Sequence, residues 1–264
     1  MPSGVFFAFV RPVVETILMK SLLKKTLTRL PFGNRLIRGY RYWIQRRHFA
    51  RFKNPEDVFT AYYEENQWSD PESVSGPGST AAYTENIRRE MPPLLERLQV
   101  RRMLDAPCGD YNWFRLIDRA GGLDYTGGDI VAPLVAANET KYGNDRTRFT
   151  KLDITKDELP AVDLWLCRDC LFHLSEELVF AALENFARSR VQWLLTSTHP
   201  RAEANTDIPT GSFRLLNLEL PPYDFPPPDA TMEDWIQPYP YRHLALWSRA
   251  AVAAALEKRR QKAR

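Results

Sequence analysis

The chain has 264 residues, with 36 Lys and Arg against 33 Asp and Glu and 44% apolar residues. That is the composition of a soluble globular protein with room for a large α/β core, and it excludes a disordered or fibrous chain. Three cysteines are too few for a disulfide framework and suit a reducing compartment.

The near-neutral total conceals a segregation of charge. Residues 1–55 hold twelve Lys and Arg and one acid, Glu15, and residues 257–264 hold five bases and one acid, whereas residues 56–256 are strongly acidic. Three units are expected: a basic amphipathic helical extension over 1–55, a catalytic or binding domain over 56–256, and a basic tail over 257–264. In the arm, Leu, Ile and Trp alternate with Lys and Arg at roughly helical spacing, with Pro31 and Gly33 dividing it. Such a segment suits an anionic membrane surface or a partner, or else packs its apolar stripe on the domain; nucleic-acid phosphates fit less well. GVFFAFV at 4–10 lacks the flanks of a secretory signal and is interrupted too soon by Arg11, Pro12, Glu15 and Lys20 to span a bilayer. The expected location is the cytoplasm, peripheral to the inner membrane face.

SVSGPGST at 73–80 reads as a loop, and a helix is expected from about Thr80 to Glu90. A Gly/Ser loop entering a helix N-terminus presents free N–H groups to an anion, and the aromatic and acidic surroundings suit a lid. Strand one is expected at 101–106, followed by the turn of LDAPCGDYNW and a helix over 112–120. Strand two, 124–130, ends at the acid Asp129. A helix begins near Pro133, strand three (147–153) ends at Asp153, and strand four is 162–169. A helix capped by Ser175 runs to Ser189, and strand five is 191–200. After it the alternation stops: 213–228 is proline-rich and irregular, 243–249 is a last strand, and a basic helix follows. Strands alternating with helices give a doubly wound, mostly parallel sheet that binds its ligand at the strands' carboxyl ends.

Strand, tight turn at Gly109, second strand and terminal carboxylate make a nucleotide-binding half in which Asp129 is placed to accept ribose hydroxyls. The G-x-G-x-x-G fingerprint is missing, which favours a nucleoside ligand without phosphates. The turn resembles motif I of class I S-adenosylmethionine-dependent methyltransferases, with Asp105 and Gly109 in place and Pro107 and Tyr111 where the outer glycines usually stand. Across Trp68 to Pro228, WSDPESVSGPGST, LDAPCGDYNW, GGDI, RDCLFHLS, NTDIPTG and RLLNLELPP together resemble a bacterial branch of that family.

The resemblance implies a Rossmann-like fold and S-adenosylmethionine as cofactor. It implies cofactor contacts from Trp68, Ser75, Gly76, Ser79, Asp105, Pro107, Gly109, Asp129, Ile130, Asp153, Ile154 and Arg168, with Asp129 on the ribose and Asp153 and Ile154 at the adenine. RDCLFHLSEE at 168–177 lies where the acceptor would meet the methyl group; His173 with Asp169 is the candidate base, the other reading being that His173 only packs beside the cofactor. Cys108, Cys167, Cys170 and His173 together form a conceivable zinc set, but without a second C-x-x-C no metal is expected. The expected acceptor is a small-molecule or glycan hydroxyl. The alternatives are an inert cofactor-binding scaffold and an RNA or protein methyltransferase; DNA base N-methylation is disfavoured by the missing N/D-P-P-Y/F motif.

Overall fold

A computed structural model describes residues 43–44, 46–119 and 122–262. Most of the basic arm lies outside these residues, and so does the expectation of a helical, surface-binding extension. The elements are α1 (Pro55–Glu64), α2 (Glu85–Arg97), β1 (Arg102–Asp105), β2 (Asp124–Asp129), α3 (Ala132–Tyr142), β3 (Thr147–Lys151), β4 (Leu164–Cys167), α4 (Glu176–Arg188), β5 (Trp193–Thr198), β6 (Ala230–Glu233), β7 (His243–Ser248) and α5 (Arg249–Lys262). Seven strands form one sheet in the order β3-β2-β1-β4-β5-β7-β6. The first five are mutually parallel, and β7 runs antiparallel to both β5 and β6. The order reverses between β1 and β4, and the carboxyl ends of strands at such a switch point are where open α/β sheets bind their ligands.

Successive residues of a strand feed opposite faces, and both faces are covered. In β4, Leu164 and Leu166 enter the cluster with Met103, Tyr125 and Leu244, packed by Ile87 and Met91 of α2. Trp165 and Cys167 enter the cluster with Leu183 and Phe186 of α4 and Trp247 of β7. This explains the unbroken apolar run in β4, whose four residues are all buried.

Start signals act where the sequence places them. Ser175 accepts from the Leu178 amide at 3.4 Å and caps α4. Pro133 lies in the first turn of α3. Three expectations are corrected. Of the helix expected over 112–120, the described residues 112–119 form only a 3₁₀ turn at Phe114–Leu116, because Trp113 and Phe114 are already spent filling the core beneath β2. The helix after the Gly/Ser loop begins at Glu85 and runs on through Pro92 and Pro93, since Ile87, Met91, Leu94 and Leu95 bury one face and offset the two missing N–H donors. A sixth strand, Ala230–Glu233, pairs with β7 where the sequence shows only the residues after a proline run.

The edge formed by β6 and β7 is tied to the centre of the sheet by a buried ion network. Asp234, just past β6, accepts from Arg168 Nε and Nη2, each at 2.9 Å, and from Arg242 Nε at 3.2 Å. Arg242 Nη1 reaches Asp169 at 3.0 Å. Burial alone would raise the Asp234 carboxyl; the two guanidiniums outweigh it and hold the group below its ordinary value. Removing one partner of such a set strands a charge out of water, at a cost of about 3–5 kcal/mol. Asp234→Asn is therefore expected to lower the melting temperature by about 10 °C in a thermal denaturation scan; an unchanged midpoint would show that the network contributes nothing to stability.

Candidate active site

The carboxyl ends of β1, β2, β4 and β5 carry the polar groups of the crevice. Asp129 ends β2 and is buried; its Oδ2 accepts from the Gly109 amide at 3.1 Å and its Oδ1 from the Val131 amide at 3.0 Å. Burial raises its pKa to about 6, against the pull of these main-chain donors. Each oxygen retains a further lone pair. Gly109 has φ +55°, and a side chain there would run into Ser75 Oγ, so only glycine lets the turn and the Gly/Ser loop meet. Pro107 and Ile130 flank this turn, half-buried.

Asp105, at the end of β1, is 2% exposed and accepts from the Tyr125 hydroxyl at 2.8 Å. Burial raises its pKa to about 7, with the Tyr125 hydrogen bond and Arg168 acting the other way. It braces the turn from below. Asp153 follows β3; its Oδ1 accepts from the Thr155 amide at 3.0 Å and from the Thr155 hydroxyl at 2.6 Å, and its Oδ2 pairs with Lys156 at 3.1 Å. Although burial opposes it, these partners hold its pKa below the ordinary value. Its neighbour Ile154 is buried in the core, and its carbonyl accepts from Asn185.

The Gly/Ser loop lies across this edge. The Asp110 carboxylate accepts from the Ser73 hydroxyl (3.0 Å), the Val74 amide (3.0 Å) and the Ser75 hydroxyl (3.2 Å), and the Asp110 amide donates to Ser75 Oγ at 2.9 Å. Glu72 accepts from Asn112 Nδ2 at 2.8 Å and from the Ala81 amide at 2.7 Å, and Asn112 also donates to the Ser79 carbonyl at 3.0 Å. Pro77–Ser79 is a 3₁₀ turn, and Gly76, at φ +93°, packs against the Trp68 side chain. The loop continues over β4, where the Gly78 carbonyl accepts from Arg168 Nη2 at 2.6 Å.

Arg168 is thus committed to Asp234, to the loop and, at 3.5 Å, to Asp169. Asp169 sits at φ +53°, a region that costs a non-glycine residue energy and often marks a functional turn. Its carboxylate faces Arg242, and the Ser197 hydroxyl donates to it at 3.3 Å. His173 does not hydrogen-bond to Asp169; its Nδ1 lies 2.8 Å from the Ser212 carbonyl, and its ring packs on Trp68 and Phe172 at 5.3 and 4.6 Å. Burial pushes the His173 pKa down to about 4.

Contacts thus join Ser75, Gly109 and Asp129 around the turn that Pro107 and Ile130 flank, Gly76 and His173 to Trp68, and Arg168 to Asp169, while Asp105 lies beneath with Tyr125 and Ser79 is held by Asn112. Asp153 and Ile154 stand at the outer side, beside β3. Sequence reasoning missed Asp110, Asp234 and Arg242. The cysteines divide: Cys108 joins one face of the sheet, Cys167 and Cys170 the other. Among the described residues no group of three or more His, Cys, Asp and Glu side chains is arranged to hold a metal, and no helix is long and apolar enough to cross a membrane.

No family model matches the sequence, and no curated protein does. Solved structures do match the fold. PigF with S-adenosylhomocysteine superposes with a TM-score of 0.54 at 16% identity, over 77% of this chain and 65% of PigF. Magnesium protoporphyrin IX methyltransferase from Synechocystis PCC 6803, with bound S-adenosylmethionine, gives 0.51 at 16% identity over 75% of this chain and 98% of that enzyme. The Burkholderia thailandensis 1,6-didemethyltoxoflavin N1-methyltransferase, with S-adenosylhomocysteine, gives 0.51 at 17% identity over 73% and 86%. This chain spans just under two thirds of the length of PigF. The protein has the class I, Rossmann-like methyltransferase fold.

The contacts of Asp110 yield a prediction. Hydrogen bonds to a charged acceptor each contribute about 1.5–3 kcal/mol at most. Asp110→Ala should loosen residues 72–76 and raise the rate of cleavage at Glu72 by a glutamate-specific protease about tenfold or more, with the melting temperature little changed. An unaltered cleavage rate would mean that the loop is held by something else.

Proposed function

We propose that the protein is an S-adenosylmethionine-dependent methyltransferase acting on a hydroxyl of a small molecule or glycan. The observation that carries the reading is Asp129: a buried carboxylate at the end of β2, beside the switch point of the sheet, with acceptor capacity left over after its two main-chain bonds. The donor set fits the cofactor. Asp129 would hold the ribose hydroxyls, Gly109 and Pro107 would let the backbone come close, Ser75, Gly76 and Trp68 would cover the methionine end, and Ile130, Asp153 and Ile154 would border the adenine. Asp105, Ser79 and Arg168 support this wall from beneath and from the loop.

When bound, the cofactor supplies an electrophilic methyl group on a sulfonium. The protein's own part is to orient the acceptor and receive its proton. His173 donates from Nδ1 to the Ser212 carbonyl, which leaves Nε2 as the basic nitrogen for a hydroxyl proton. Its low pKa keeps it in the base form throughout the neutral range, and Asp169 is the anion that favours the ring once protonated. So weak a base contributes modestly; most of the acceleration is assigned to alignment of acceptor and methyl group. The basic segment 20–53, with eleven Lys and Arg and no acid, is read as an anchor to anionic lipid that brings the enzyme to a lipid-linked or nascent glycan at the inner membrane face.

Two measurements test this. Ribose hydroxyls donate best to a charged carboxylate, so affinity for S-adenosylhomocysteine, measured by calorimetry, should rise from pH 5 to 7 as Asp129 ionises near 6. Asp129→Asn should weaken binding about tenfold at pH 7.5 and flatten that rise to what Asp105 contributes. Equal affinity in the variant would remove Asp129 from the ribose, and failure of the native protein to bind would end the reading. Separately, the full chain should co-sediment with vesicles rich in phosphatidylserine at 50 mM salt and release at about 500 mM, where screening shortens the reach of each charge; no binding at low salt would refute the anchor.

A further inference from the structure

The inward face of α3 is made by Leu134, Val135 and Asn138, and Asn138 is only 3% exposed. Asn is a poor residue for a helix interior, and burying its amide costs free energy unless the amide is bonded. Its bond goes to the motif I turn: Asn138 Nδ2 donates to the Gly109 carbonyl at 2.7 Å. Among the described residues the other donor to that oxygen is the Cys108 thiol at 3.5 Å, a weak one.

The turn needs such a tie. Gly109 and Tyr111 both stand at positive φ, +55° and +59°, and for Tyr111 that conformation has a cost. The two peptides that meet at Gly109 are bonded to different elements. The N–H of the 108–109 peptide donates to Asp129 Oδ2 at 3.1 Å. The 109–110 peptide is bonded at both ends: its carbonyl accepts from Asn138, and its N–H, that of Asp110, donates to Ser75 Oγ at 2.9 Å. One peptide plane thus joins α3 to the Gly/Ser loop. Carbonyl and N–H of a planar peptide turn together, so a plane released by Asn138 carries the Asp110 N–H away from Ser75. Glycine at 109 sets little steric barrier against that rotation.

We propose that Asn138 is a positioning residue for the cofactor: by holding the 109–110 peptide in one orientation, it keeps the Gly109 turn on Asp129 and the Gly/Ser loop seated over the methionine end. This rests on the S-adenosylmethionine reading above. The role is in binding, so its loss weakens affinity for the cofactor and leaves kcat at saturation close to native.

The test uses the full-length protein with two substitutions. Asn138→Leu keeps the branched shape and removes the donor; Asn138→Asp keeps the shape and makes the donor depend on pH. The titratable groups around this position are Cys108, 3.9 Å from Asn138 Nδ2, with Asp129 and Asp105 at the strand ends; on α3 itself, Glu139 turns to the Phe149 amide. Burial raises the Asp129 carboxyl to about 6 and the Cys108 thiol well above its usual value. A carboxyl at 138 shares those surroundings: protonated at pH 5 it donates to the Gly109 carbonyl, and ionised at pH 8 it repels that oxygen.

Asn138→Leu should bind S-adenosylhomocysteine about tenfold more weakly than the native protein across pH 5 to 8, and its Asp110 amide should exchange with solvent about tenfold faster by NMR. For Asn138→Asp, the dissociation constant relative to native should be near one at pH 5 and rise about tenfold by pH 8. Native affinity and native Asp110 exchange in Asn138→Leu, or a ratio in Asn138→Asp that does not change with pH, overturns the proposal. The pH-dependent ratio decides it even where Asn138→Leu does not fold. If the native protein binds no S-adenosylhomocysteine while Asp110 exchange responds to Asn138→Leu as expected, the cofactor reading and the positioning role fall together, and only the tie between α3 and the loop stands.

Discussion

Asp234 is the point on which the crevice depends. Its carboxylate sits between two buried guanidiniums, and each guanidinium belongs to a different part of the site. Arg168 extends β4 and, through the Gly78 carbonyl, fixes the Gly/Ser loop. Arg242 precedes β7 and, through Asp169, fixes the turn that leads to His173. The arginines also lie over aromatic faces, Arg168 5.1 Å from Trp113 and Arg242 4.9 Å from Tyr83. Two cations against two carboxylates leave the cluster formally neutral, which is what lets charged groups stay in a low-dielectric edge. Because the charges are mutually committed, the loop, the β4 turn and the β6–β7 edge hold one geometry together.

The loop and the motif I turn obey a complementary constraint. Gly109 must be glycine both for its positive φ and because Ser75 stands where a side chain would be. Asp110, next in sequence, has three donors of the loop as its partners. A single dipeptide thus shapes the cofactor-facing turn and holds its cover, so a change in the cover is felt directly at the Asp129 carboxylate, which shares the Gly109 amide. This favours a loop that seats and opens as a unit, through the loss of hydrogen bonds rather than of buried apolar area.

What could be read in the sequence follows from the range of the interactions involved. The parallel core was legible because each of its elements carries a local signature: apolar strand, acid at the strand end, Ser175 as a cap, Pro133 in a first turn. The candidate carboxylates at strand ends were legible for the same reason. The short helix after motif I was misread because its apolar residues, Trp113 and Phe114, serve the core rather than an amphipathic stripe. Strand β6 was invisible because four residues, ATME, with one buried side chain carry almost no period-two signal; its pairing with β7 decides it. Arg168 and Asp234 are 66 residues apart, and no pattern along the chain announces such a pair.

The histidines show why a residue type alone underdetermines chemistry. Sequence reasoning singled out His173 with Asp169 as a pair, four residues apart and so plausible neighbours. In the structure Asp169 turns to Arg242 and Ser197, and a main-chain carbonyl takes its place against His173. A carboxylate there would have raised the imidazole's basicity strongly; a carbonyl fixes the tautomer while leaving burial to dominate, so the ring stays neutral. The same device, inverted at the Leu216 amide, gives His199 the other tautomer. Two side chains identical in sequence thereby become an acceptor and a donor through the backbone groups that the 212–216 segment presents to them. That segment is irregular and proline-flanked, and its value to the site lies in that irregularity: outside a helix or strand ladder, the Ser212 carbonyl and the Leu216 amide are available to side chains at all.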